Sequence, residues 1–526
     1  MARESLYQLS MCAVDPDRLG LGRDSFERRL REDLTHLVSD ADFVGWGSSH
    51  LGRPPCSRVR LTGMLLLQFR YDLSDAELIS RCQRDLGFRY ALRLDDPVTQ
   101  PPKVSSLRRF RARLRTELGE EFLFRRVVAL ARDRELISDA DVQVVDSTDT
   151  RCRGACIDTY NLVSVGIGTV VRRMARFLDV PALGLAREWG LDRYMGRSIK
   201  GRVDIDWSDV DARNALLTEE IRDADALAQR IGELGADVPD DVKASVDLLR
   251  TVSRQDVEEL EDGTFAMKRG TAKGRTISIT DPEARHGRKS PTKPIQGFKT
   301  HVLGTPVSEF VLGIAMTDAA TKDAEPTVAL LEQAAKAGLL PKWAIGDRAY
   351  GTGPNLRRCA ARGVAVVSKL ARKRGPTMEK GQFTIDLQAG TVTCPAGQVT
   401  REFTMVKHTD SPAEKVRCYK FPKATCQVCP LKSQCGSQVK RGGRRTVTLS
   451  PYEPELQRLK AFNAQSEAKP VLRVRAAAER LISHLIRLGM RHARYFGLEL
   501  TRYQASMTAT AHNLQRIFTL TKWSPA

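Results

Sequence analysis

The chain has 526 residues, enough for two to four domains, and its 84 lysines and arginines against 64 acidic residues give a net charge of +20. The longest apolar runs are too short to span a bilayer and the N-terminal sequence lacks a secretory signal, so we expect a cytosolic protein without a membrane partner. The positive charge is spread along the whole chain, which favours an extended surface for nucleic acid over a merely basic soluble protein.

Residues 1–137 are predicted to form helices. Apolar residues recur at helical spacing over residues 56–92, and Ser74 and Asp75 mark a boundary between two helices. The next helix, SSLRRFRARLRTEL, carries arginines all round and is too charged for a core. Its candidate DNA-contacting residues are Arg108, Arg109 and Arg111. This order suits a helical DNA-binding domain of the helix-turn-helix type, and a plain helical bundle with solvated arginines is the alternative.

Residues 138–370 are predicted to form the first part of an α/β core. DVQVVDSTDT predicts a short buried strand ending on Asp146, and a mostly helical insertion follows at about 150–265. GFKTHVLGT and EFVLGIAMTD predict a β-hairpin, and Asp323 is the expected cap of the next helix. WAIGD then predicts a strand that ends on Asp347, followed by a helix and the strand VAVVSKL.

Without the insertion, this order is three antiparallel strands followed by alternating helix and strand. That is the order of an RNase H-like core, in which helices flank a mixed five-stranded sheet. Residues 371–450 are predicted to form a small Cys-rich insertion, and residues 451–526 to be helical and to complete the core.

Four of the eleven cysteines have the spacing C-x31-C-x2-C-x5-C within the Cys-rich insertion. They are Cys394, Cys426, Cys429 and Cys435. Such a cluster in a cytosolic chain suits a structural Zn²⁺, and reduced thiols without metal are the alternative.

Three acidic residues are candidates for a catalytic set. Phosphodiester chemistry on DNA uses divalent cations, which carboxylates from separate elements hold. Asp146 and Asp347 would meet because their strands are neighbours in such a sheet. Glu479 lies at the flank of an apolar helical stripe, and Arg475, one turn earlier, would balance its charge or hold a phosphate. The plainer interpretations are a cap at Asp146, a turn residue at Asp347 and a solvated Glu479 paired with Arg475.

The chain resembles bacterial insertion-sequence transposases of the DDE class over most of its length. The motifs that carry the resemblance are VVDST, GFKTHV, GDRAYG, CQVCPLKSQC and RAAAERLISHLIRLGMRHARYFGL. The resemblance places the catalytic acids, which are also the metal ligands, at Asp146, Asp347 and Glu479. Arg475 matches the arginine of the family's Arg-x-x-x-Glu signature, whereas Leu472 and Ile486 stand where a tyrosine and a lysine are often found.

The resemblance also implies an activity and partners. The expected enzyme uses Mg²⁺ or Mn²⁺, binds the terminal inverted repeats of its insertion sequence, cleaves the ends and joins them to target DNA. Arg348, Lys299 and Arg475 would lie along the double-stranded DNA, with a minor role for His301. By analogy we expect a homodimer on DNA in the bacterial cytoplasm, associated with the nucleoid. The rival hypotheses are an RNase H-like nuclease without strand transfer and a catalytically inactive DNA-binding protein.

Overall fold

The N-terminal region is helical in the computed structural model, which describes residues 15–17, 19–46, 56–95, 99–290, 292–369, 378–408, 411–436 and 443–521. Its helices are α1 (Phe26–Leu37), α2 (Arg58–Arg70), α3 (Asp75–Arg84), α4 (Leu86–Ala91), α5 (Val104–Arg113) and α6 (Phe122–Asp133). Ser74 caps α3, because its hydroxyl accepts the Glu77 N–H while the Glu77 carboxylate accepts the Ser74 N–H. The helix boundary predicted there is confirmed. Residues 1–14 of the predicted helical region lie outside the described residues.

The first strand leads into a helical segment with its own core. The elements are β1 (Val142–Arg151), α7 (Thr159–Phe177), α8 (Ala182–Glu188), α9 (Val210–Glu233), α10 (Asp240–Arg254), β2 (Val257–Glu259) and β3 (Phe265–Met267). Helices α7 to α10 occupy the stretch for which the sequence predicted a helical insertion. Their apolar side chains, such as Ile167, Leu217 and Leu249, pack into one hydrophobic cluster apart from that of the sheet.

A mixed sheet forms the centre of the molecule. Its further elements are β4 (Arg285–Ser290), β5 (Lys293–Gly304), β6 (Val311–Asp318), α11 (Thr327–Lys336), β7 (Trp343–Ile345), α12 (Gly353–Ala360) and β8 (Ala365–Val367). The strand order is β6-β5-β1-β7-β8, and β4 pairs with the first half of β5. β5 is antiparallel to β1 and β6, whereas β7 is parallel to β1 and β8. The predicted mixed five-stranded sheet is confirmed, with β4 as an addition.

The Cys-rich segment contains two small antiparallel sheets. Its elements are β9 (Thr384–Asp386), β10 (Thr391–Thr393), β11 (Val399–Thr400), β12 (Phe403–His408), β13 (Ser411–Lys420), α13 (Lys423–Gln427), α14 (Lys432–Cys435) and β14 (Thr446–Thr448). One sheet has the order β11-β10-β9 and the other β12-β13-β14. Aromatic residues, including Phe383, Tyr419 and Phe421, form a third hydrophobic cluster between them.

The C-terminal helices return to the sheet. They are α15 (Glu453–Ala464), α16 (Ala468–Arg473), α17 (Ala476–Leu485) and α18 (Leu498–Leu520). The predicted single helix through Glu479 is therefore two helices, and Arg475 is the N-cap residue of α17. A π-helical turn, Ile486–Met490, follows α17 and ends where Gly489 adopts a φ of +91°.

Helix α18 joins the N-terminal region to the sheet, because it packs against α2, α6 and β6. One hydrophobic cluster therefore contains Leu30 of α1, Val144 of β1 and Leu514 of α18. The N-terminal helices share the core of the sheet and do not have a core of their own. Among the described residues, no helix is both long enough and apolar enough to cross a membrane.

Candidate active site

Two of the predicted catalytic acids lie side by side on adjacent strands. In the parallel pairing of β1 with β7, Val144 is opposite Ile345. Asp146 and Asp347 each follow two residues later, so they lie at the same level just beyond the paired part of two neighbouring strands. The prediction that β1 ends on Asp146 is wrong. The strand continues to Arg151 because residues 146–151 pair with β5, while its parallel partner β7 stops at Ile345.

Backbone contacts fix both carboxylates. Asp146 accepts the Ser147 N–H and Asp347 accepts the Ala349 N–H, each at 2.8 Å. Asp347 thereby caps the short 3₁₀ turn Arg348–Tyr350. The Tyr350 ring is fully buried against Gly346, where an added Cβ would lie 2.7 Å from the ring. The sequence GDRAY is therefore a rigid turn that presents one carboxylate at the end of β7.

The third acid reaches the same place from α17, which packs against β1 and β5. Arg475 donates a 2.6 Å hydrogen bond to the Glu479 carboxylate, and its other terminal nitrogen lies 3.5 Å from an Asp146 oxygen. One guanidinium thus bridges two carboxylates that are 333 positions apart in the sequence. Asp347, Arg475 and Glu479 all line a cavity of about 640 Å³.

The environment of Asp146 opposes its negative charge. Burial, together with the nearby charges of Asp347 and Asp323, raises the pKa of Asp146 to about 6, although the Ser147 N–H and Arg475 lower it. A carboxyl with a pKa raised by burial and by like charges is typical of functional sites, where an added cation restores the ionised form.

These carboxylates have the chemistry of a divalent-cation site. Carboxylate oxygens are the preferred ligands of Mg²⁺, and the positive charge of Arg475 already lies between two of them. The residues therefore fit a metal at this position. In the conformation of the described residues, no three His, Cys, Asp or Glu side chains are grouped closely enough to hold an ion.

A basic groove leads into this cavity. Arg348, Lys369 and Lys469 line both the cavity and an adjoining space of about 1340 Å³ beside α15 and α16. All three side chains are exposed. The remaining cations along this basic groove are Lys380, Lys460, Arg473 and Arg475. Such a concentration of positive charge beside acidic residues suits a phosphate backbone brought to a metal site.

Comparison with known protein families gives two matches. A transposase DDE domain matches residues 393–518, and a transposase domain designated DUF772 matches residues 22–113. The chain is a transposase of the DDE class. A DDE domain implies an RNase H-like core, which agrees with the sheet order β6-β5-β1-β7-β8. Neither the curated proteins nor the solved structures contain a match to the chain.

The matched DDE region of the transposase contains Glu479 but neither aspartate. The family of enzymes generally uses divalent metals. The structure adds that α17, within the matched region, brings Glu479 to the strand that carries Asp146.

Lys299 has a different setting from the one predicted. Its ammonium donates to the Asp323 carboxylate and to the Thr321 carbonyl, both at 2.8 Å, and its side chain is 12% exposed. Lys299 therefore anchors the loop after β6 and is not presented to DNA in this conformation. His301 is fully buried, bonds Thr317 and has a pKa lowered to about 4 by burial, so it is a neutral structural residue.

Asp323 is a further acidic residue near Asp146, which the sequence did not predict as part of the candidate site. Its prediction as a helix cap is wrong, because α11 begins at Thr327 and Asp323 is engaged by Lys299. Its charge also raises the pKa of Asp146, so it lies near one of the predicted catalytic acids. The sequence around Asp323 is that of an acid followed by a helical pattern. Such a pattern gives no local signal that distinguishes a helix cap from an acid paired with a distant lysine.

The three arginines of α5, within the matched N-terminal domain, have different environments. Arg108 is 69% exposed and Arg109 is also exposed. Arg111 is buried, and donates to Asp75 at 2.6 Å and to Gln68 at 2.9 Å. Burial of Asp75 opposes its charge, but hydrogen bonds from Arg111, Gln68 and Arg108 prevail and lower its pKa to about 2. The prediction that Arg111 contacts DNA is wrong, because its guanidinium links α5 to α2 and α3.

The four predicted zinc ligands lie around one small core. Cys426 is buried in the third hydrophobic cluster, and Cys394 and Cys435 pack against it. Burial raises the pKa of the Cys435 thiol, Arg445 lowers it, and the charges of Cys426, Cys429 and Cys394 raise it further. Cys435 therefore lies near the other three cysteines, although the four are not arranged as a closed ligand set.

Proposed function

We propose that this transposase binds the terminal inverted repeats of its insertion sequence and catalyses metal-dependent strand cleavage and strand transfer. The observation that supports this most directly is that Asp347 and Glu479 line one cavity that opens into the basic groove, while Arg475 bridges Glu479 to Asp146 on the strand beside Asp347. The proposal includes a homodimer on paired ends. It also includes a helical DNA-binding region at 1–137, a core at 138–370 and 451–526, and a Cys-rich insertion at 371–450.

Each residue has a separate task in the proposed reaction. A bound Mg²⁺ or Mn²⁺ would supply activation of the attacking water or 3′-hydroxyl and neutralisation of the leaving oxygen. The carboxylates of Asp146 and Asp347 have fixed positions on neighbouring strands, because each accepts a hydrogen bond from a backbone N–H. Glu479 is 60% exposed on a helix and closes the set from the other side.

Arg475 and Arg348 are proposed to hold the scissile phosphate. Arg475 neutralises Asp146 and Glu479 in the absence of a metal. If a bound cation neutralises those carboxylates instead, the planar guanidinium of Arg475 would be able to donate two hydrogen bonds to a phosphate. Arg348 is exposed next to Asp347 and lies between the cavity and the basic groove, so it would contact the neighbouring phosphate.

The test is a cleavage and joining assay with the full chain. The substrate is linear DNA carrying the inverted repeats that flank the gene, with a target plasmid and either Mg²⁺ or Mn²⁺. We expect cleavage at the repeat ends and covalent joining to the plasmid. Cleavage without joining would instead support the nuclease hypothesis, and binding without cleavage in either metal would support the inactive DNA-binding protein.

The arginines of α5 give a matched prediction. In Arg108→Ala/Arg109→Ala, affinity for the repeat should fall and the salt dependence should weaken by about one unit of slope per lost phosphate contact. The free energy of unfolding should change by less than about 1 kcal/mol, because the ion pair of Arg108 with Asp75 is largely exposed on the arginine side. Arg111→Ala should instead lower the free energy of unfolding by about 1.5–3 kcal/mol, because Asp75 and Gln68 lose the buried guanidinium that links α5 to α2 and α3. Fluorescence anisotropy and thermal melts measure the two effects. Normal stability of Arg111→Ala would contradict this assignment.

The four cysteines give a prediction about zinc. If they hold a structural Zn²⁺, metal analysis of protein purified without chelators should find about one zinc per chain. Cys429→Ser should lose that zinc, whereas Cys56→Ser, at an exposed cysteine outside the cluster, should retain it. A parent protein without zinc would show that the cluster is made of reduced thiols.

A further inference from the structure

Two cysteines outside the zinc candidates form a close pair. The segment CRGAC joins β1 to the helical insertion, and the sulfurs of Cys152 and Cys156 lie 3.4 Å apart. Both side chains are half-buried, so small molecules can reach them. A disulfide has an S–S distance of about 2.05 Å, so a movement of about 1.4 Å would bring the sulfurs to bonding distance.

The surroundings favour reaction at one of the two sulfurs. Hydrogen bonding from the Cys152 thiol lowers the pKa of Cys156, and Arg275 lowers it further, although burial and Asp281 oppose this. The thiolate is the reactive form of cysteine, so Cys156 is the better nucleophile of the pair. Gly154, between them, packs against Ser278 and Asp281, where an added Cβ would clash with both side chains. The turn is therefore held in the conformation that brings the sulfurs together.

We propose that Cys152 and Cys156 are a site of reversible oxidation that forms a disulfide in the presence of peroxide. The Cys156 thiolate attacks one peroxide oxygen and breaks the O–O bond, which gives a sulfenic acid and releases hydroxide. The Cys152 sulfur then attacks the Cys156 sulfur, which forms the S–S bond and releases water. In total, two thiols lose two hydrogens and one hydrogen peroxide becomes two waters. The proposal is independent of the proposed transposition reaction.

The pair lies at the joint between the sheet and the insertion. The Cys152 N–H donates to the Gln296 carbonyl of β5, and the Ile157 N–H donates to the Ile277 carbonyl beyond the insertion. The preceding residue, Arg151, exchanges backbone hydrogen bonds with Arg491 and Ala493, in the loop that follows the helix of Glu479. A disulfide across this turn would restrict the joint, and cytosolic disulfides are usually transient and redox-sensing.

Peptide mapping of the full chain tests the proposal directly. Trypsin cleaves after Arg153, between the two cysteines, so Cys152 and Cys156 fall on separate peptides. After treatment with hydrogen peroxide and blocking of free thiols, the two peptides should be recovered as one cross-linked species that dithiothreitol separates. Amide hydrogen exchange at Cys152 and Ile157 should slow in the oxidised protein. Two separate peptides, each blocked or over-oxidised, would overturn the proposal.

Single substitutions identify the order of attack. In Cys152→Ser, peroxide should leave a Cys156 sulfenic acid that a 1,3-dicarbonyl probe traps, whereas Cys156→Ser should give much less label at Cys152. Cys56 is exposed and serves as an internal control, because it should oxidise without forming this cross-link. Equal labelling of Cys152 and Cys156 in the two variants would contradict the proposed nucleophile.

Discussion

Asp146→Asn, Asp347→Asn and Glu479→Gln are each expected to reduce strand cleavage by on the order of 10³-fold or more. Each change keeps the shape of the side chain and removes a charge that holds the divalent cations. Metal ions supply several kcal/mol of transition-state stabilisation, and each 1.36 kcal/mol corresponds to a factor of ten in rate. The rate of cleavage at the repeat ends, measured with excess enzyme in Mg²⁺, gives the effect.

The three losses should not add, because the acids act as one unit in holding the metal. Binding of repeat DNA should be nearly unchanged in all three variants, since affinity comes mainly from phosphate contacts elsewhere. The matched control is Glu467→Gln, an exposed acid just before α16, which should cleave at the parent rate. A Glu479→Gln protein that cleaves and joins as fast as the parent would place the third ligand at another acid of the 450–500 segment.

The part of the site that the sequence predicted depends on regular patterns. The pattern and order of the elements favoured an RNase H-like core, and in such a sheet the strands of Asp146 and Asp347 are neighbours. The position of Glu479 followed from its place at the flank of an apolar helical stripe. These inferences needed the period and order of the elements, which the chain encodes locally, together with the strand order of an RNase H-like sheet.

The parts that the sequence did not predict depend on long-range side-chain pairing. Arg108 and Arg111 lie on the same helix and carry the same charge, yet only Arg111 is buried, because Asp75 and Gln68 of earlier helices receive it. Lys299 was predicted to contact DNA, but its ammonium donates to Asp323, 24 positions later. Composition and periodicity cannot distinguish a charged residue that faces solvent from one with a distant partner.

Asp146→Asn is also expected to stabilise the metal-free protein at neutral pH, although it removes activity. The pKa of Asp146 is about 6 in the folded protein, against 3.8 for an ordinary aspartate. At 1.36 kcal/mol per pH unit, ionised Asp146 therefore costs the folded state about 3 kcal/mol. Asparagine resembles the protonated acid and does not have this cost.

The sign of the pH dependence follows from the same two pKa values. Below about pH 4, Asp146 is protonated in both the folded and the unfolded chain, so the parent and Asp146→Asn should be equally stable. As the pH rises from about 4 to 6, the unfolded chain loses its proton first and the parent loses stability relative to the variant. Above about pH 6 the difference should remain constant at up to about 3 kcal/mol in favour of Asp146→Asn.

Thermal melts in EDTA from pH 4 to pH 8 measure this difference, and comparison with Asp146→Asn cancels the titrating groups that do not interact with Asp146. Glu467→Gln is again the control, because an exposed acid should give no such trend. Mg²⁺ should raise the melting temperature of the parent, since an ion that binds only the folded state stabilises it, and should raise that of Asp146→Asn much less. If Asp146→Asn melts below the parent at pH 8 in EDTA, the Asp146 carboxylate is not held at a cost to folding and does not have the electrostatic character of a metal ligand.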